Sequence, residues 1–236
     1  MTIRAITFDF WRTLFRDNEA EERRQIRVDA FCGETGAKPE AVHEALVYGE
    51  QFFLQHHIKH QITLQPRDAV NIVCERTGMV LNPDVERAMI QIFATAILDY
   101  PPVPIDGALD AVRAAAAKFP IGIISDAGLS PGSSLKQLLD RHGFTQHFRC
   151  LTFSSDMGVA KPQRKMFEGT AEKLAVDVSD LLHIGDLEFT DIVGAHAVGA
   201  KAALFAGDNT RFATTTNADY TFHHWREFVD ILPKLK

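Results

Sequence analysis

Four short apolar runs separated by amphipathic stretches limit this chain more than any other feature. The runs are RAITFDF at the N-terminus, FPIGIIS over 119–125, LLHIG over 181–185 and KAALF over 201–205. Each reads as a strand buried on both faces, because a short, nearly continuous apolar run leaves no side for water. Between the later runs lie GALDAVRAAAAKF, SSLKQLLDRHGF, PQRKMFEGTAEKLAV and FTDIVGAHAVGA, which space their apolar residues as helices do. Strand and helix in alternation predict an α/β fold, a doubly wound parallel sheet with helices on both faces. Ligands of such sheets bind beyond the carboxyl ends of the strands. Asp9, Ser125 and Asp186 would all sit there.

Residues 16–104 interrupt the alternation. EERRQIRVDAFCGETG, PEAVHEALVYGEQFFLQHHIKH, PRDAVNIVCERTG and NPDVERAMIQIFATAILDY are successive helical patterns, punctuated by Gly36, Pro39, Pro66, Gly78 and Pro83. The prediction is a helical insertion over 16–104, acting as a lid, in a core made of 1–15 and 105–236 and rejoined through the proline-rich YPPVPIDG. Met79, Met89, Phe93 and Phe52 read as core of that insertion, with Phe52 and Phe53 as candidates to face a pocket. QHHIKHQ places His56 and His60 one turn apart, a spacing that suits a metal, but the sequence offers no third ligand; the other reading is a polar helix face, and the role of His57 is open.

Composition narrows the partners. The 236 residues suffice for one large domain or a core with an insertion, and 46% hydrophobic with 24% charged residues is ordinary globular usage. A net charge of −6 gives no reason to expect nucleic acid, whose phosphate backbone needs a basic face, and leaves room for a local basic pocket. No apolar run approaches the roughly 20 residues of a membrane span, and the N-terminus enters strand-like sequence too soon for a signal peptide. Cys32, Cys74 and Cys150 are widely spaced, match no zinc pattern and read as reduced thiols. The expectation is a soluble cytoplasmic protein, monomer or homodimer, whose partner is a small molecule.

Taken singly, an aspartate after a strand or a lysine before a proline says little; Ser125 alone reads as a turn cap and Lys161 alone as a solvated lysine. Two acids at the mouth of a parallel sheet are harder to dismiss, because they repel unless a cation or a lysine compensates them. The joint pattern is FDFWRTL with Asp9 and Thr13, Ser125 closing IGIIS, Lys161 before Pro162 and a helix, and IGDLEFTDIVGA with Gly185, Asp186 and Asp191. In this order and spacing the chain resembles the haloacid dehalogenase-like (HAD) hydrolase superfamily over nearly its whole length, and the place of the helical insertion resembles members with a C1-type cap on a Rossmann-like core.

The resemblance implies that Asp9 is a nucleophile forming an acyl-phosphate. It implies Mg²⁺ held by Asp9, Asp186 and the backbone carbonyl of Trp11, with Asp191 supporting that shell and orienting Lys161. Ser125 and Lys161 would contact the phosphoryl group, and Trp11, Arg12, Thr13 and Asp126 would border the substrate, a small phosphorylated molecule.

Trp11 departs from the pattern. In the superfamily's phosphatases that position is an aspartate, which protonates the leaving alkoxide and then activates water. Indole is a donor with neither a usable proton nor an acceptor. General acid–base catalysis contributes about 10²–10⁴-fold, on the order of 3–5 kcal/mol. Three readings stay open: a metal-dependent phosphohydrolase that is slow on alkyl esters, prefers good leaving groups or recruits another acid; a 2-haloacid dehalogenase; and a weakly active or non-enzymatic binding protein. Dehalogenases of the superfamily have tyrosine at this place, release halide without a proton and use no metal, so the intact Asp9 and Asp186 speak for the first. Arg12 replaces a common glycine and reads either as a clamp for a substrate anion or as a solvent-facing residue. Asp126 stands where asparagine is frequent and would repel a phosphate unless it points away.

Overall fold

The computed structural model describes residues 2–235. The chain enters through β1 (Ala5–Phe8) and a short β2 (Phe15–Arg16), passes through α1 (Ala20–Thr35), α2 (Pro39–His60), α3 (Pro66–Thr77) and α4 (Pro83–Asp99), and returns by β3 (Val103–Pro104). Then follow α5 (Ala108–Ala116), β4 (Ile121–Ser125), α6 (Gly132–Arg141), β5 (Cys150–Phe153), α7 (Ser154–Met157) and α8 (Arg164–Leu174). The last part runs through β6 (Leu181–Gly185), α9 (Val193–Ala197), β7 (Lys201–Phe205), β8 (Tyr220–Phe222) and α10 (Trp225–Ile231).

Six strands form one sheet in the order β5-β4-β1-β6-β7-β8. Every neighbouring pair in it is parallel. All residues of β1, β4 and β6 are buried, as the continuous apolar runs require. One face packs on a layer that includes Leu138, Trp225 and Phe228, the other on a layer that includes Phe167, Leu174 and Ile192. The four expected strands are present, and β5 and β8 join them at the edges. CLTF is only half-buried over its first two residues and YTF has three residues, so neither carries enough apolar pattern to announce itself. From β1 the chain builds outward in both directions, which makes its carboxyl end the switch point of the sheet. Asp9 lies there, between Ser125 at the end of β4 and Asp186 after β6.

The punctuation of residues 36–83 is boundary chemistry. Pro39, Pro66 and Pro83 open α2, α3 and α4, where a missing N–H costs nothing. Gly36 and Gly78 close α1 and α3 in the left-handed region, at φ 69° and 71°. The side chain of Asn82 accepts from the N–H groups of Asp84 and Val85 and so caps α4. These helices enclose a core of their own around Val28, Phe31, Leu46, Val70, Met89 and Phe93, with Met79 at its margin. Phe52 is not part of it: the ring is 38% exposed and stacks on Tyr48, one turn back on the outer side of α2. The proline-rich return is also more than a linker, since β3 pairs antiparallel with β2, Pro104 opposite Phe15. Among the described residues no helix is long and apolar enough to cross a membrane, and the three cysteines are free thiols.

Candidate active site

β1 delivers Asp9 while the residue is still held in the ladder: its N–H donates to the carbonyl of Ile184 at 2.8 Å. The side chain is 4% exposed. Lys161, equally buried, donates from Nζ to Asp9 Oδ1 at 2.7 Å and to Asp191 Oδ1 at 2.5 Å. One cation thus joins two carboxylates that lie 182 residues apart in the chain, Asp9 and Asp191.

Asp191 is the most constrained of the acids. Its Oδ2 accepts from the N–H of Leu187 at 2.9 Å, and its Oδ1 also faces His183 Nε2 at 3.1 Å. A single π-helical turn, Glu188–Ile192, folds the residue back against the end of β6. Only a glycine permits that approach: a Cβ on Gly185 would lie 2.1 Å from Asp191 Cγ. His183 is completely buried and is oriented in turn by Thr7 Oγ1, 2.9 Å from its Nδ1.

The charges follow from this geometry. Burial opposes ionisation of Asp191, but Lys161 and His183 outweigh it and hold the carboxyl well below the usual range. Burial likewise opposes the charge of Lys161, yet Asp191, Asp9 and Asp126 keep its pKa above the ordinary value. Asp9 is pushed up to about 6 by burial, against the pull of Lys161. Asp186 is pushed furthest, to about 8, by burial and then by the charges on Asp191 and Asp9. Its side-chain partner is Asn209, whose Nδ2 donates to Oδ2 at 2.7 Å.

The remaining candidates fall into two groups. Ser125 is fully buried beside Asp9, its Oγ accepting from the N–H of Phe10 at 3.4 Å. Asp126 turns its Oδ1 to the backbone N–H of Lys161 at 2.9 Å and its Oδ2 towards His57 Nε2 at 3.4 Å. Trp11 packs edge-on against Phe10 and lines a cleft of about 350 Å³ that also meets Arg23, Arg27 and Phe53 of the helical unit. Arg12, at φ 54°, turns away from these groups and shares Asp208 with Arg16, at 3.1 and 2.5 Å. Thr13 is buried with its Oγ1 unpartnered, while its carbonyl accepts from Trp225 Nε1 at 3.2 Å.

The rings of His56 and His60 lie against each other, tilted, with centroids 4.6 Å apart, whereas the histidine between them, His57, reaches the sheet side. Among the described residues no three His, Cys, Asp or Glu side chains are grouped as metal ligands. Asp191 is committed to Lys161, His183 and a backbone N–H, so a cation at this centre would draw on Asp9 and Asp186 with backbone carbonyl and water, a donor set that suits Mg²⁺. A second cleft, of about 430 Å³ and mostly apolar walls, runs along His57, Asp126 and Leu187, next to Ser125 and Asp186.

His183 and Asn209 are the polar partners that sequence reading passes over. His183 had one available signal, since it shares a strand face with Gly185, two residues on. Asn209 lies in a loop with no local pattern; only folding brings it to Asp186.

The chain matches the family model of haloacid dehalogenase-like hydrolases over residues 3–199. It is 35% identical over 98 residues to a pyrimidine 5'-nucleotidase of Escherichia coli, an alignment that spans 41% of this chain and 42% of that protein. It is 28% identical to a glyceraldehyde 3-phosphate phosphatase of Methanopyrus kandleri, over 99% of this chain and 98% of that one. In fold it is similar to a 2-haloacid dehalogenase from Pseudomonas syringae, with a TM-score of 0.73 and 17% identity across 100% of both chains.

Proposed function

The chain belongs to the haloacid dehalogenase-like hydrolase family, and from that premise we propose that it hydrolyses small phosphorylated molecules, phosphomonoesters or acyl phosphates, through an aspartyl-phosphate on Asp9 with Mg²⁺ as cofactor. The observation that carries this reading is a charge imbalance: Asp9, Asp186 and Asp191 are all buried at the ends of β1 and β6, and the buried Lys161 bridges only Asp9 and Asp191. Asp186, pushed up to about 8 by burial and then by those acids, favours its neutral form at neutral pH, and a further positive charge in the cluster would favour its carboxylate. Asp9, Asp186 and the carbonyl of Trp11 would hold that ion, which supplies charge neutralisation at the phosphoryl oxygens.

The chain's own residues divide the remaining work. Lys161 holds Oδ1 of Asp9, which leaves Oδ2 to attack phosphorus while the P–O bond to the leaving group breaks and its electron pair departs with oxygen. Ser125 and Lys161 stabilise the transferred group, and Asp191 with His183 keeps Lys161 protonated and in place. Water then opens the aspartyl-phosphate. The helical unit serves as a C1-type cap whose closure excludes bulk water from this step. Trp11 contributes no proton, so substrates with good leaving groups are favoured.

One alternative, carbon–halogen hydrolysis, is favoured by the aromatic side chain of Trp11 and by the apolar cleft along Phe53, Leu187 and Phe212. The Asp186 carboxylate weighs against it. Acetyl phosphate, p-nitrophenyl phosphate and 2-haloacids separate the two. Expected is Mg²⁺-dependent phosphate release that drops at least about 10³-fold in Asp9→Asn. Phosphate release insensitive to chelator would overturn the reading, and halide release without metal would establish the alternative.

A further inference from the structure

We propose that His57, held by Asp126, is the acid–base residue that Trp11 cannot be: it protonates the leaving oxygen of an alkyl phosphate and then takes a proton from the attacking water. This rests on the phosphohydrolase reading above. It adds to that reading the residue that carries the proton, delivered from the helical unit and not from the strand that bears the nucleophile.

Place comes first. The 430 Å³ cleft is floored by Asp126, Ala127 and Gly128, which follow Ser125, and walled by Leu187, which follows Asp186, so it lies beside the carboxyl ends of β4 and β6. The ionisable side chains lining it are His57, Asp126 and Arg211. Arginine does not give up a proton in proteins, so proton transfer in this cleft falls to the pair.

Continuity comes second. Asp126 Oδ1 accepts from the N–H of Lys161 at 2.9 Å, and Lys161 Nζ donates to Asp9 Oδ1 at 2.7 Å. The pair is therefore tied to the nucleophile through two hydrogen bonds and one lysine, itself fully buried. A histidine placed elsewhere on α2 lacks that tie: His56 and His60 lie against each other with tilted rings.

The gap is the third observation. His57 Nε2 lies 3.4 Å from Asp126 Oδ2, beyond the roughly 2.7–3.2 Å of a formed N–H···O bond. The two side chains stand in ion-pair range without a formed hydrogen bond, so a substrate oxygen entering the cleft can take the place of Asp126 on Nε2. Burial, then the charge of Lys161, lowers the proton affinity of His57 from its ordinary value, which eases release of its proton to a leaving oxygen.

The steps balance. As Asp9 Oδ2 bonds to phosphorus, the P–O bond breaks and its electron pair goes to the alkoxide, which takes the proton from the imidazolium. Neutral imidazole then accepts a proton from water as that water attacks the aspartyl-phosphate, which restores imidazolium, frees Asp9 and releases phosphate.

The test compares leaving groups in the full-length Mg²⁺-loaded protein. p-Nitrophenolate departs without a proton, whereas glycerol 2-phosphate needs one. Expected for His57→Gln is a loss of at least about 10-fold in kcat/KM on glycerol 2-phosphate, with p-nitrophenyl phosphate changed by less than about 3-fold. Adding Trp11→Asp to His57→Gln should restore the alkyl rate, and thermal unfolding of each variant checks the fold. Equal losses on both substrates would make His57 a mere tether between helix and sheet, and an unchanged alkyl rate would also overturn the inference. An alkyl rate undetectable in the parent protein, with aryl turnover present, overturns it as well. No Mg²⁺-dependent turnover of p-nitrophenyl phosphate would instead remove the phosphohydrolase reading itself, and the inference with it.

Discussion

The carboxyl ends of β1, β4 and β6 and the helical wall that faces them are built on different terms. On the sheet side each acid has an assigned partner: Asp191 has Lys161, His183 and the N–H of Leu187, and Asp9 has Lys161. The packing leaves no slack, as the absent Cβ of Gly185 shows. On the helical side Arg24 and Glu50 pair near the surface, His57 stops 3.4 Å from Asp126, and Gly33 of α1 has open space where a Cβ would stand. Parallel strands fix three neighbouring positions to within a hydrogen-bond length, so reacting groups can be held there without adjustment. A wall of helices joined to the sheet through the β2–β3 ribbon can change its lining without disturbing those positions. In the proposed reading, chemistry and selection are thereby separated in space.

The sharpest way to break the contrast is to crowd each side by one methyl group. Gly185→Ala forces a clash with Asp191 and should cost about 3 kcal/mol or more in urea unfolding, with loss of turnover. Unfolding indistinguishable from the parent would show that the acid centre is not tightly packed. A smaller effect tests what the strand side lacks. Trp11→Asp should raise alkyl-phosphate hydrolysis at least about 10-fold, roughly 1.4 kcal/mol of barrier, and a lower rate in a folded variant would contradict the account of Trp11.

Charge gives the third test. The folded-state pKa of Asp186 is raised from 3.8 to about 8, so at pH values between these the unfolded chain binds fewer protons than the folded one. Its contribution is fully present below the unfolded value and is lost as pH rises through the folded one. Asp9 and Asp126, raised to about 6, act in the same direction. With chelator present, Tm should therefore fall as pH rises from about 5 to 8, and the Tm gained on adding Mg²⁺ should grow over the same window. A gain independent of pH would separate the metal from Asp186. The smallest effect belongs to the helical side: Gly33→Ala, in the last turn of α1 and unobstructed, should stabilise by about 0.5–1 kcal/mol and leave activity unchanged.

The amino-acid order by itself determined the four buried strands and the long helices. Runs such as IGIIS and LLHIG cannot leave the interior, and Pro39, Pro66 and Pro83 are tolerated only in a first helical turn, so strands and helices were readable from local constraints alone. What folding decided is every relation across the chain: that Lys161 bridges Asp9 and Asp191, that Asn209 meets Asp186, that His57 and not His56 or His60 turns to Asp126, and that Arg12 is drawn off to Asp208. Those partners are separated by tens to hundreds of residues, and no local pattern encodes a distance between them. The pairing of a short edge strand such as YTF is of the same kind, because its stability comes from β7 beside it and not from its own three residues.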